Sequence, residues 1–305
     1  MAKVLVTGGA GFIGSSLAER LLTAGHTVVI ADNLLTGDER KVPVHASCKF
    51  VRCDVNQYGD IAAIMTTHKF DFVFHFAAVV GVKRTIEQPL MVLNDLEGIK
   101  NVLELSKDTG VKRVFYSSSS EVYGEPVELP QHEETTPLNS RLPYAVVKNV
   151  GESFCRSFQK EFGLSYTIFR FFNTYGEKQS EDFVISKFIA AAKQGRPLTI
   201  YGEGSQTRTF CYIDDNTACI AKILEENLCV NEVINVGSDI EQTILELAQL
   251  IIRESGSKSI IEFLPPLAEG DMSRRRPDNS RMKTILGREL TPLSIGLRKI
   301  ISSIK

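Results

Sequence analysis

The chain has 305 residues, 43% hydrophobic and 24% charged, the proportions of a globular protein with a substantial core and not of a disordered or fibrous one. Its formal net charge of -2 gives no electrostatic footing for nucleic acid or an anionic membrane as partner. No apolar run is long enough to span a bilayer, and the opening MAKVLVTGGAGFIG is too broken by glycine to read as a signal peptide. The six cysteines are scattered without a Cys-x-x-Cys pair or a histidine cluster, so no metal site is expected and a reducing, cytoplasmic setting is.

From residue 1 to about 173, short apolar runs alternate with segments of helical period. The runs are KVLVTG, HTVVIAD, KFVRCD, FDFVFHFAA, VKRVFYSSS and SYTIFRFFN, and the helical stretches include Ser15–Ala24 and Asn94–Lys107. Continuous Val, Ile and Phe suit parallel strands buried on both faces. The fold class is therefore α/β: a doubly wound parallel sheet, with ligands beyond the carboxyl ends of its strands. Residues 1–173 read as a dinucleotide-binding domain and 174–305 as a smaller mixed α/β substrate lobe, with later segments free to return to the first. That lobe reads as helix DFVISKFIAAAKQG, strands LTIYG and TFCYI, helix DDNTACIAKILEEN, strand EVINVG and helix TILELAQLIIRES. A final stretch, LPPLAEGDMSRRRPDNSRMKTILG, reads as a surface run.

Gly8, Gly11 and Gly14 make a Gly-x-x-Gly-x-x-Gly turn that leads through Phe12 and Ile13 into a helix. Such a turn lets backbone approach a pyrophosphate, whose charge the helix N-terminus meets. Asp32, followed by Asn33, ends the second run, where a carboxylate accepts both ribose hydroxyls of an adenosine and repels a 2′-phosphate, so NAD is favoured. Asp54 and Val55 end the third run and either border the adenine or, for Asp54, cap a helix. Phe76, Ala77 and Ala78 end the fourth, where small residues let a cofactor lie against backbone. Tyr144 and Lys148 in PYAVVK stand four apart on one helical face. An ammonium beside a phenol stabilises the phenolate and suits the tyrosine to proton transfer near neutral pH.

Together TGGAGFIG, Asp32, HFAA, SSSSEVYG and YAVVK, with RFFNTYG, LTIYGEGSQTRTF and RRRPD further on, resemble the extended short-chain dehydrogenase/reductase family of nucleotide-sugar epimerases, dehydratases and decarboxylases, a Rossmann-type family. The resemblance covers nearly the whole chain. It implies NAD as cofactor and a nucleoside-diphosphate sugar as substrate. It implies that Tyr144 takes a sugar hydroxyl proton while hydride leaves carbon 4, that Lys148 also holds the nicotinamide ribose, and that Ser119 hydrogen-bonds the same hydroxyl. Asn94 matches a helix asparagine near the cofactor, and Phe171 follows the sixth strand beside it. Ser120 and Asn173 line the substrate, Tyr201 stacks on its base, and Arg208 with Arg275 clamps its diphosphate, Arg274 and Arg276 being unranked neighbours.

Glu121 points to the branch. Members that only invert carbon 4 have a small residue at this position, whereas sugar 4,6-dehydratases and glucuronate decarboxylases have a glutamate. On an extended segment Glu121 and Ser119 would face the same side, and a carboxylate near carbon 5 accepts the proton that a 4-ketone acidifies. Departures from both subfamilies are visible: Ser120 replaces the aspartate of thymidine-sugar dehydratases, and HFAAVVGV differs from the decarboxylases. The reading is an NAD-dependent lyase, with a 4-epimerase as alternative. A non-catalytic NAD sensor or a reductase of other carbonyls fits less of the pattern. Val102, Leu103, Val147, Phe154 and Phe158, on two helices that relatives pair in a four-helix interface, lead to the expectation of a homodimer.

Overall fold

The structure is a computed structural model that describes residues 1–266 and 274–304, except the side chains of Val82, Lys83 and Ile86. Part of the expected surface run therefore lies outside the described residues. In chain order the elements are β1 (Lys3–Thr7), α1 (Phe12–Thr23), β2 (Thr27–Asp32), β3 (Cys48–Arg52), α2 (Tyr58–Thr67), β4 (Phe72–His75), α3 (Val82–Glu87), α4 (Pro89–Leu93), α5 (Asp95–Thr109) and β5 (Arg113–Ser119). A 3-10 turn over Ser120–Tyr123 precedes α6 (Pro143–Phe162), β6 (Ser165–Phe171), β7 (Thr174–Tyr175), α7 (Val184–Lys193), β8 (Leu198–Tyr201), β9 (Thr207–Thr209), β10 (Cys211–Tyr212) and α8 (Ile213–Glu225). Last come β11 (Glu232–Val236), β12 (Glu241–Thr243), α9 (Ile244–Ser255), β13 (Ile261–Leu264), α10 (Ser280–Leu286) and α11 (Leu293–Ser303).

Among the described residues, seven strands form one sheet in the order β11-β6-β5-β4-β1-β2-β3, and the pairs from β6 to β3 run parallel. Successive strand residues point to opposite faces, and here both sets are buried. Leu5, Val29, Val73, Val114 and Ile168 join the core under α2, α5 and α6, while their neighbours Val6, Ile30, Phe74, Phe115 and Phe169 are buried with α1 residues Leu17 and Leu21. Both faces are covered, as expected for a doubly wound sheet. The strand order reverses between β1 and β4, which places the ligand crevice of such a sheet beyond Thr7 and His75.

The chain divides into two compact units: Met1–Gly124 with Leu138–Phe171 and Thr217–Ile234, and Glu125–Pro137 with Phe172–Asn216 and Asn235–Lys305. The change of unit after Phe171 lies close to the expected 173, but segments 125–137 and 217–234 each belong to the other side of that division. EVINVG, assigned from sequence to the second lobe, supplies β11, which pairs with β6 at the sheet edge. Pairing satisfies backbone groups that β6 would otherwise leave open. The second unit holds the pairs β7–β10, β8–β13 and β9–β12 and packs α9 against α7 and α11.

The expected dimer face needs correction. Val102, Leu103, Val147 and Phe158 are buried within the chain and Phe154 is partly so, because α5 packs between α2 and α6. Apolar side chains left exposed nearby include Leu90, Leu93, Leu142, Val146 and Phe162.

Candidate active site

At the reversal of strand order, backbone approaches backbone. Gly8 takes φ +67°, and a Cβ there would stand 2.6 Å from the Ala77 amide nitrogen; one on Gly14 would stand 2.5 Å from the Gly8 carbonyl oxygen. Only glycine fits either place. Gly11 is the N-cap of α1 and brings no side-chain acceptor, so no side chain of the cap competes for the first-turn N–H groups near Phe12 and Ile13. Phe76 N donates to the Thr7 carbonyl at 3.1 Å and Ala77 N to Thr7 Oγ1 at 3.3 Å, which seats the Phe76–Ala78 segment against the glycine turn.

Asp32 is buried at the end of β2. Its Oδ2 accepts from Ala10 N at 3.0 Å and its Oδ1 from Leu34 N at 2.8 Å. Burial pushes its carboxyl above the ordinary range, and these two amides oppose that only in part. Further hydroxyl donors would complete its solvation, which is what a ribose diol supplies. The donor set and the glycine cradle thus fit an NAD-type dinucleotide. Asn33 Oδ1 accepts from Leu35 N. Asp54 Oδ1 accepts from Asn56 N at 3.0 Å, forming a local Asx turn, while the N-cap of α2 is Gln57; the helix-cap reading of Asp54 is set aside. Val55 is buried in the core. Asn94 is exposed at the junction of α4 and α5, and the neighbouring Asp95 carries the buried carboxylate, accepting from Val79 N at 2.7 Å.

β5 ends at Ser119, and the chain then tightens. Ser119 Oγ accepts the Glu121 N–H at 3.2 Å and caps the 3-10 turn over Ser120–Tyr123. Glu121 therefore sits in a helical turn, and the expectation that strand alternation aligns it with Ser119 does not hold. Ser119 and Ser120 are buried and Glu121 is half-buried. Pro143 opens α6 at its first turn, and Tyr144 and Lys148 lie on one face of it, the Lys148 Nζ 5.7 Å from the Tyr144 ring centroid and 5.3 Å from that of Tyr116. Lys148 Nζ donates to the Ser117 carbonyl at 2.7 Å. Burial lowers the Lys148 ammonium to about 8, a drop that the Asp95 charge partly resists. His75, fully enclosed beside it, falls to about 3 through burial and the Lys148 charge, so it is neutral and adds no competing cation. Phe171 is buried at the end of β6 and packs edge-on against Phe76 at 5.8 Å.

In the second unit, Asn173 Nδ2 donates to the Thr209 carbonyl at 3.1 Å. Arg208 precedes Thr209 on β9, and its Nη1 donates to the Thr207 carbonyl at 2.7 Å. Glu241 of β12 faces Thr209 in register and binds Arg274 at 2.5 Å and Arg276 at 3.8 Å. Those two guanidiniums are committed to one carboxylate, while Arg275 between them is buried. Tyr201 is exposed on β8 with Lys187 Nζ 5.6 Å from its ring centroid. The sequence reading missed Asp95, Tyr116 and Glu152, all buried; the helical spacing of Glu152 to Lys148 was the available signal.

Residues 4–237 match the model of the NAD-dependent epimerase/dehydratase family. The chain belongs to that family. Within it, the chain is 37% identical to UDP-glucuronic acid decarboxylase 1 of Danio rerio, over 98% of this chain and 72% of that protein. It is similar to the solved UDP-glucose 4-epimerase of Thermotoga maritima with UDP-glucose: TM-score 0.92, 30% identity, 98% of this chain and 97% of that one. It is similar also to the dTDP-glucose 4,6-dehydratase of Streptomyces venezuelae with NAD bound: TM-score 0.90, 28% identity, 98% and 96% covered. The three proteins named are a decarboxylase, an epimerase and a dehydratase of nucleotide sugars, the last with NAD bound.

Proposed function

We propose that the protein is an NAD-dependent lyase acting on a nucleoside-diphosphate sugar, with a hexuronate as the favoured substrate. The observation that carries this reading is the pairing of Tyr144 with a buried Lys148 whose ammonium falls to about 8, with the Glu121 turn following Ser119. Bound NAD supplies an acceptor, and later a donor, for the hydride at sugar carbon 4. Tyr144 takes the proton of the 4-hydroxyl, helped by the adjacent ammonium, and Ser119 orients that hydroxyl. Lys148 holds the nicotinamide ribose, and Gly8, Gly11, Gly14 and Asp32 hold the pyrophosphate and adenosine ribose.

The carbon 4 ketone makes a hexuronate a β-keto acid. Its carbon 5–carbon 6 bond breaks, carbon dioxide leaves with the bonding electrons retained as the enolate, and Glu121 delivers a solvent-derived proton to carbon 5. Tyr144 returns its proton to the oxygen at carbon 4. Were carbon 6 a hydroxymethyl, Glu121 would remove the carbon 5 proton and pass it to the departing hydroxyl, which would leave as water, and the hydride would then go to carbon 6. Asn173, Tyr201, Arg208 and Arg275 are assigned to the nucleotide and its diphosphate: the exposed Tyr201 ring suits base stacking, and a guanidinium fork suits phosphate. The likeness to the decarboxylase of Danio rerio supports this branch. A 4-epimerase is the second reading, favoured by the likeness to the Thermotoga maritima enzyme. We place the protein in the cytoplasm on the scattered spacing of its six cysteines and infer a homodimer from the family resemblance and exposed Leu93, Val146 and Phe162.

The deciding experiment incubates the protein with UDP-, TDP-, GDP- and CDP-sugars, glucuronates included, and reads product mass. Loss of carbon dioxide supports the proposal, loss of water selects the dehydratase branch, unchanged mass with inverted carbon 4 selects the epimerase, and no turnover of any sugar overturns the whole reading.

A further inference from the structure

Glu152 continues the face of α6 that carries Tyr144 and Lys148 by another turn, and it is completely buried. Its Oε1 accepts from Ser118 Oγ at 2.7 Å and Arg170 Nε at 2.8 Å; its Oε2 accepts from Arg170 Nη2 at 2.8 Å and Arg156 Nη2 at 2.9 Å. Ser118 and Arg170 are opposed residues of β5 and β6, so one carboxylate ties the helix to both strands. Arg170 Nη1 donates to the Tyr123 hydroxyl at 2.9 Å, with the guanidinium carbon 4.9 Å from the Tyr123 ring centroid. Burial alone would raise the Glu152 carboxyl, but the Arg170 fork, with Ser118 and Arg156, holds it below the ordinary range.

A buried ion pair contributes little net stability against an apolar replacement of equal volume. What it supplies here is direction. Tyr123 is the last residue of the turn that contains Glu121, a turn capped at its start by Ser119 and closed by Gly124 N donating to the Glu121 carbonyl at 3.1 Å. We propose that Glu152, Arg170 and Tyr123 are positioning residues that fix this turn against α6 and so set where the Glu121 carboxylate stands for the step at carbon 5. The inference rests on the proposed acid–base role of Glu121, and the three residues act through it.

Tyr123→Phe removes only the hydroxyl. In the full-length variant, backbone hydrogen exchange across residues 119–124 is expected to quicken about tenfold while peptides from β1 to β4 are unchanged. With a sugar that the parent turns over in deuterated water, carbon 5 deuteration per nicotinamide reduced is expected to fall about tenfold, with KM within about twofold. A merely structural role would lower the melting temperature and leave that ratio alone. Unchanged exchange overturns the proposal, and so does faster exchange with an unchanged ratio. A parent that reduces its nicotinamide with no sugar overturns the functional reading instead, and the exchange measurement still decides whether the hydroxyl fixes the turn.

Discussion

Replacing Lys148 by methionine should stabilise the folded protein at neutral pH. The ammonium is buried and its pKa falls from 10.5 to about 8, so holding it charged costs the folded state about 3 kcal/mol. Methionine keeps the chain length and removes that cost, but it forfeits the bond from Nζ to the Ser117 carbonyl, worth about 1 kcal/mol for a neutral donor. The net expectation is a variant about 2 kcal/mol more stable at about pH 7. The sign against pH follows from proton counting. Below about 8 both folded and unfolded chains hold the proton and the penalty is fully present; between 8 and 10.5 the unfolded chain binds a proton the folded one has lost, so the parent gains stability as pH rises. By about pH 10 the variant's advantage should have vanished. Urea unfolding at both pH values, with matched cofactor occupancy and unchanged slope, measures the difference. A variant less stable than the parent at neutral pH, or a difference that ignores pH, would refute the reasoning. Stability given up at this position is what a reactive site under constraint entails.

Glu121→Gln should leave formation of reduced nicotinamide near the parent rate and cut carbon 5 deuteration by about 10²–10⁴-fold, the usual worth of a positioned acid–base group; stopped-flow absorbance and product NMR separate the two steps. Gly151→Ala should destabilise by about 1–3 kcal/mol through overpacking, because a Cβ there would overlap the Tyr116 hydroxyl, which is buried with no hydrogen-bond partner among the described residues. Adding Tyr116→Phe should restore only part of the lost melting temperature, because the ring carbon Cζ would still overlap that Cβ, and no restoration at all would mean that the hydroxyl is not what the Cβ meets.

The parallel sheet and the glycine turn were legible because each rests on local pattern. Uninterrupted Val, Ile and Phe can be buried only on both faces, and Gly8 has backbone where a side chain would go. Helical spacing placed Tyr144 and Lys148 on one face, but their roles were legible only in combination with the serine strand, the glycine turn and the family resemblance. Glu121 was misread in direction because four serines and a glutamate continue the period of β5, and nothing local reveals that Ser119 turns its hydroxyl back to cap the next turn. β11 could not be assigned to the sheet from EVINVG, since the choice is made by the open edge of β6, distant in sequence. Glu152 reads as a solvated helix charge until Arg170, on a strand, is brought to it. Asn94 lies exposed and Asp95 buried where α4 ends at Leu93 and α5 starts at Asp95, a break that no residue of the run announces.

The central claim is that the Tyr144 phenol takes the proton when the sugar alcohol becomes a ketone. Rapid mixing of Tyr144→Phe with the sugar that the parent turns over, read as the first-turnover absorbance of reduced nicotinamide, tests it. The account predicts a burst slowed by about 10²–10⁴-fold with cofactor binding retained. A burst at the parent rate would contradict it.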